Sequence, residues 1–219
     1  MIVAERKPFD EIMAMINGRK KILVAGCGTC VAVCLAGGEK EVGTLTSELK
    51  IALNVQGESC VVDGTTIERQ CDMEFLDPLE DDIKNYDAVI SMACGAGVQF
   101  LSERYPETPV FPAVNTTAIA ANRALGVYEE KCRACGKCVL GITGGICPVT
   151  MCAKSLFNGP CGGTNKGNCE ISNDQPCAWN LIYERLSKQD RLNEIINVMP
   201  AMNWTNQTPR TTINSVHSK

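Results

Sequence analysis

The sequence predicts an α/β fold in two parts, an open, mostly parallel sheet domain followed by a small cysteine-rich metal-cluster domain. Three observations predict it. Short apolar runs that stop at glycine or other small residues alternate with helical segments up to about residue 126. Beyond that point regular periodicity fades, and cysteine, glycine and proline dominate as far as Cys177. Eight of the 14 cysteines lie between Cys132 and Cys177, a density of thiols that calls for bridging or coordination.

Each element follows from its local pattern. F-D-E-I-M-A-M-I-N-G is an amphipathic helix with Asp10 near its start and Gly18 as its stop, so residues 1–20 form an N-terminal helix region. Ile22–Ala25 is a buried strand ending at glycine, Val31–Leu35 is helical, and Gly37-Gly38 breaks the chain. Ile51–Val55 and Cys60–Val62 read as short strands, and Asp87–Met92 as a stronger one that runs into A-C-G-A-G. Val98–Tyr105 is the next helix and Thr108–Ala113 a further strand, which completes an α/β domain over 21–126. The cysteine-rich domain spans 127–187 and closes on the helix A-W-N-L-I-Y-E-R-L. Residues 188–219 continue helically through Leu192–Val198 and end in a polar, extended docking tail.

Composition narrows the function. A net charge of −4 lacks the concentrated basic face of a nucleic-acid binder. No apolar run reaches the roughly 18 residues of a membrane span, and the first residues lack a signal-peptide core, so the expected location is the cytoplasm. Disulfides are rare in that compartment, and clustered cysteines there read as metal sites. The single histidine, His217, sits close to the C-terminus, so any metal site is thiolate-dominated and histidine acid–base catalysis is close to excluded.

Two constellations carry the chemistry. Cys27, Cys30 and Cys34 form C-x2-C-x3-C at a strand-to-helix turn, and Cys94 follows another strand between small residues. In a parallel sheet the C-terminal ends of the strands share one edge, so Cys27 and Cys94 converge if their strands are neighbours. The set suits a [4Fe-4S] site; buried structural thiols are the plainer alternative. G-C-G-T-C-V imitates a dinucleotide fingerprint, but Val31 replaces its third glycine and no acidic residue closes a downstream strand, so nucleotide binding is rejected.

The second constellation opens with Cys132, Cys135 and Cys138 as C-x2-C-x2-C, with Cys147 preceding Pro148. The run resembles that of a bacterial ferredoxin, with a longer gap before the fourth cysteine. Either Cys147 or Cys177 can close that site. Cys152, Cys161, Cys169 and Cys177 bring the total to eight, enough for two [4Fe-4S] clusters or for one cluster and one structural zinc. Counting the first constellation, two or three clusters are expected. Cys60 and Cys71 remain as structural thiols.

The stretch T-G-G-I-C-P-V-T-M-C-A-K-S-L-F-N-G-P-C-G-G, continuing to C-A-W-N-L-I-Y-E-R-L, resembles the C-terminal signature of the methylenetetrahydrofolate reductase-associated family. From about residue 10 to 200 the chain is similar to the small iron–sulfur subunits of acetogen-type reductases in that family. The resemblance implies a non-catalytic electron-transfer subunit of an oxidoreductase complex. Its partner would be a TIM-barrel subunit that carries flavin and binds the folate, with further electron-transfer subunits an open question. It implies work in the reductive acetyl-CoA (Wood–Ljungdahl) pathway. Rival readings are a zinc scaffold for the same flavoprotein and a self-contained enzyme with an active-site cluster.

Other residues stand out less. Asp77, Glu80, Asp81 and Asp82 read as a solvated loop and helix start. Trp179 and Tyr183 share one helix face over the cysteine-rich domain, and Trp204 in the tail is a docking candidate.

Overall fold

The computed structural model describes residues 1–209 and 211, which fall into two units, Met1–Glu129 and the chain from Glu130 onward. His217 and the end of the expected docking tail lie outside the described residues.

The first unit runs β1 (Ile2–Arg6), α1 (Phe9–Met15), β2 (Lys21–Cys27), α2 (Cys30–Val33), α3 (Glu39–Val55), β3 (Val61–Ile67), α4 (Glu80–Ile83), β4 (Ala88–Ser91), α5 (Gly95–Arg104), β5 (Val110–Pro112), β6 (Val114–Ala124) and β7 (Val127–Cys132). Strands β3, β2, β4 and β5 lie side by side in that order, and every pair is parallel. In β2, six of seven residues are buried, as expected for a strand covered on both faces. Alternation then sorts the side chains. Ile22, Val24 and Ile90 pack with Ile12, Leu45 and Leu49 on one face. Leu23, Ala25 and Val89 pack with Leu76, Ile83 and Leu101 on the other.

Several local expectations give way here. Ile51–Val55 is the last turn of α3 and not a strand. The buried positions Val42, Leu45, Thr46, Leu49 and Leu53 repeat at helical spacing, and that face outweighs the strand-like look of the last residues. The N-terminal region contains β1 as well as a helix; β1 pairs antiparallel with β6, Ile2 opposite Ile119 and Arg6 opposite Val114. A second, three-stranded sheet β1-β6-β7 therefore accompanies the parallel one. Asp77 and Glu80 form ion pairs with Arg104 at 3.2 and 2.8 Å, an exposed network that ties α4 to α5.

The second unit contains α6 (Pro148–Met151), the hairpin β8 (Asn168–Cys169) and β9 (Ser172–Pro176), and α7 (Ala178–Lys188). Its buried apolar cluster is small: Ile146, Trp179, Ile182 and Leu186. Beyond α7 the expected helix over Leu192–Val198 shrinks to a 3-10 turn at Leu192–Ile195, leaving Ile196 and Val198 exposed. The tail is not simply extended either. Trp204–Gln207 forms a 3-10 turn, and Asn206 donates a hydrogen bond to the Ala134 carbonyl; Trp204 itself stays exposed.

Among the described residues no helix is long and apolar enough to cross a membrane.

Candidate metal centre

All fourteen cysteines are free thiols. In the first unit the order β3-β2-β4-β5 makes β2 and β4 direct neighbours. Cys27 ends β2, and Cys94 stands three residues past the end of β4, so both reach the carboxyl edge of the sheet. Cys94 is the N-cap of α5, a ten-residue helix; its own side chain makes no cap bond, and Thr116 Oγ1 accepts from the Gly95 N–H at 2.9 Å. Cys27 Sγ lies 3.5 Å from Thr29 Oγ1 and 3.9 Å from the Glu68 carbonyl oxygen, while the Cys27 N–H donates to Gly37 O. Cys30 opens α2 and is partly exposed.

Cys34 goes elsewhere. It is buried beneath β1, where its Sγ accepts from the Ala4 N–H at 3.5 Å and lies 3.6 Å from the carbonyl oxygens of Ala4 and Val31. The helix ends at Val33; Cys34 is its C-cap, its N–H still bonded to the Cys30 carbonyl at 3.2 Å, and its side chain is buried in the core.

Cys71, which local sequence left aside, arrives at the sheet edge. Gln70, fully buried, donates from Nε2 to the carbonyls of Ala25 (2.9 Å) and Gly26 (2.8 Å) at the end of β2. Its Oε1 accepts from Ser91 Oγ at the end of β4, at 2.7 Å. One side chain thus bridges the two strand ends and sets the following residue between them. Gly97, in the first turn of α5, allows this approach: a Cβ there would stand 2.7 Å from Ala93 Cβ and 3.0 Å from Gln70 Cβ. Burial on its inner side pushes the Cys71 thiol up, and the charges of Cys94 and then Cys27 add to the effect, although its outer side remains open to solvent. Cys60 sits at the opposite edge, before β3. Its Sγ donates to the Arg19 carbonyl at 3.4 Å, and burial, then the Glu58 charge, raise its thiol.

In the second unit Cys152, Cys161, Cys169 and Cys177 line one small cavity of about 20 Å³. Local structure explains each position. Cys152 ends α6, Cys169 lies in β8, and Cys177 is the N-cap of α7. The hairpin register sets Asn168 against Pro176, and the Cys177 N–H donates to the Gly167 carbonyl at 2.9 Å. Cys161 Sγ accepts from the Gly163 N–H at 3.4 Å. Lys154 and Glu170 form an ion pair beside it, which holds the Glu170 carboxyl below the usual range and the Lys154 ammonium above it. A Cβ at Gly163 would meet only the flexible end of the Glu170 side chain, which can move aside.

Of the other four, Cys132 ends β7, Cys135 and Cys138 lie in the loop that follows, and Cys147 stands at the start of α6. Ala134 and Gly136 take left-handed conformations (φ 50° and 85°), and the Ala134 N–H turns back onto Cys132 Sγ at 3.3 Å. Cys147 caps α6 just ahead of Pro148, with its Sγ 3.6 Å from Thr150 Oγ1. Arg133 reaches Ser155 Oγ at 3.5 Å, and Ser155 in turn donates to the Val149 carbonyl, which ties this loop to α6. Among the described residues no three His, Cys, Asp or Glu side chains converge closely enough to hold a single metal ion.

Residues 111–205 match the family model described as methylene-tetrahydrofolate reductase C terminal. This region is related to the methylenetetrahydrofolate reductase family. The match spans just under half of the 219-residue chain. It takes in all eight cysteines from Cys132 to Cys177 and none of those on the parallel sheet. No curated protein and no solved structure matches the chain.

Proposed function

We propose that this chain is the iron–sulfur electron-transfer subunit of a methylenetetrahydrofolate reductase complex. The observation that carries this reading is the cavity walled by Cys152, Cys161, Cys169 and Cys177, inside the region related to that family. In the proposal the chain itself does no folate chemistry. It relays electrons to or from the flavin of a TIM-barrel partner subunit, in the cytoplasm, within the reductive acetyl-CoA pathway.

The donor set fits the group. Every candidate ligand is a thiolate, the soft donor that iron–sulfur clusters take, and no histidine stands among the described residues. Cys132, Cys135, Cys138 and Cys147 would hold one cluster and the four cavity cysteines a second. A bound [4Fe-4S] cluster supplies reversible one-electron transfer at a potential set by hydrogen bonding and burial. The chain's own residues do the tuning. The N–H groups of Ala134 and Gly163 donate to ligand sulfurs and favour the more negative state, and the α7 N-terminus does the same at Cys177. The Lys154–Glu170 ion pair flanks Cys161, whose Sγ lies 3.7 Å from Glu170 Oε1, so it places a polar but charge-balanced group on that side of the cavity. Trp179 covers the inner wall.

Metal and acid-labile sulfide per chain, measured after anaerobic purification together with the flavoprotein, test the reading. The expected result is roughly eight irons or more with matching sulfide, and a broad visible band that bleaches on reduction. Zinc alone with no bleachable absorbance would overturn it and leave a scaffold. Folate turnover by the chain without the flavoprotein would overturn the non-catalytic assignment.

A further inference from the structure

We infer that a metal site in the first unit is held by Cys27, Cys30, Cys71 and Cys94 at the carboxyl edge of the parallel sheet, with Cys34 a core thiol outside it. The assignment rests on the cluster reading above and extends it to a part of the chain that the family match does not reach.

The geometry is built from Gln70 outward. Its amide grips the ends of β2 and β4 together, through Ala25, Gly26 and Ser91. The segment around it therefore lies across the same two strand ends that deliver Cys27 and Cys94. The contacts on either side agree. Upstream of Gln70, the Glu68 carbonyl meets Cys27 Sγ at 3.9 Å, and the Gly28 N–H donates to Ile67 O at 2.8 Å. Toward Cys94, the first turn of α5 packs on Gln70 through Gly97. Cys71 follows directly and is exposed, so a group entering from solvent reaches it. Cys30, three residues past Cys27 on the same turn, supplies the fourth thiol. Ligation replaces the proton of each thiol with a bond to metal, and the protons go to solvent.

Cys34 has the opposite surroundings. It is buried, packed in the core cluster that includes Ala4, Val31 and Ile12, and its polar contacts are all to backbone. Bringing it to the sheet edge would require α2 to rewind and β1 to lose its contact.

The complex purified anaerobically as wild type, Cys71→Ala, Cys34→Ala and Cys34→Ser decides the matter. Iron and sulfide per chain and the electron paramagnetic resonance of the reduced protein are the readouts, with circular dichroism as the check on folding. Cys34→Ser keeps a donor for the Ala4 carbonyl and stands in if the alanine variant does not fold. Cys71→Ala is expected to lose roughly four irons and one resonance signal, while the Cys34 variants keep the full complement. Loss of iron from a folded Cys34 variant, or full iron in Cys71→Ala, would overturn the assignment. Wild-type iron of about eight, unchanged in every variant, would overturn it too, yet leave the electron-transfer reading standing on the second unit alone. Absence of iron and sulfide from the wild type would instead sink the reading on which the assignment rests.

Discussion

Trp179→Ala is expected to destabilise the second unit by about 3–5 kcal/mol, the usual loss when a buried tryptophan is truncated. The reason is how little else holds that unit together. Its buried cluster has four members, and Trp179 is the largest of them, only 5% exposed. The indole also reaches the loop before the cavity, where Nε1 donates to the Leu156 carbonyl at 2.7 Å. Removing the ring therefore opens a void beside Ile182 and Leu186, frees the loop that leads to Cys161, and strips one wall from the cavity. Chemical denaturation followed by the dichroism of α7, together with iron per chain, measures both effects. Trp179→Phe separates them: it keeps most of the apolar area and loses the hydrogen bond, worth about 1 kcal/mol. Equal behaviour of the two variants would show that the hydrogen bond, and not the packing, is what matters. A wild-type denaturation midpoint in Trp179→Ala would refute the packing argument altogether.

Gln70→Leu is expected to lower the stability of the first unit by roughly 3 kcal/mol, with little change in side-chain volume. Leucine fills the space but leaves the buried Ser91 hydroxyl proton without an acceptor, although Ser91 Oγ still accepts from the Ala93 N–H at 3.3 Å. It also removes one donor from the Gly26 carbonyl. A buried group left unsatisfied costs about 1–3 kcal/mol. Ala25 O is less affected, because the Met92 N–H also donates to it at 2.8 Å. Gln70→Glu provides the sign. A carboxyl there faces two carbonyl oxygens and is fully buried, so the neutral form is favoured and its folded-state pKa lies above the unfolded value. Such a group contributes stability that is present below the unfolded pKa and lost as pH rises through the folded one. Gln70→Glu should therefore denature more readily at mildly alkaline than at mildly acid pH, whereas the Gln70→Leu deficit stays flat. A flat profile for both would mean that residue 70 is hydrated and does not clasp the strands.

How much of this was legible beforehand varies by element. The runs Ile22–Ala25 and Asp87–Met92 were readable as strands because a strand buried on both faces is a continuous apolar run, bounded here by glycine and other small residues. α3 was misread at its end because I-A-L-N-V, taken in isolation, has strand-like composition. Only the helical spacing of the preceding residues assigns it. β1 and the length of β6 were missed because each is half-exposed and completed by pairing across more than a hundred residues, Ile2 to Ile119. In the second unit, residue type alone singles out the cysteines as candidate metal ligands, and the region's relation to a known family directs attention there.

Sequence by itself determined the chemistry on offer: fourteen thiols, one histidine, and an α/β alternation that gives way to a cysteine-rich stretch too poor in apolar residues to fold on a core alone. Those properties are local, carried by residue type and spacing. Only the tertiary structure decided which thiols are neighbours. Cys34 matches its spacing motif and is turned into the core, whereas Cys71 matches none and is carried to the sheet edge by Gln70. Likewise the cavity groups Cys152, Cys161, Cys169 and Cys177 across a helix end, a loop, a hairpin and a helix start. The physical reason is the same in both cases. A metal site is defined by distances between side chains, and backbone hydrogen bonds between segments far apart in sequence set those distances.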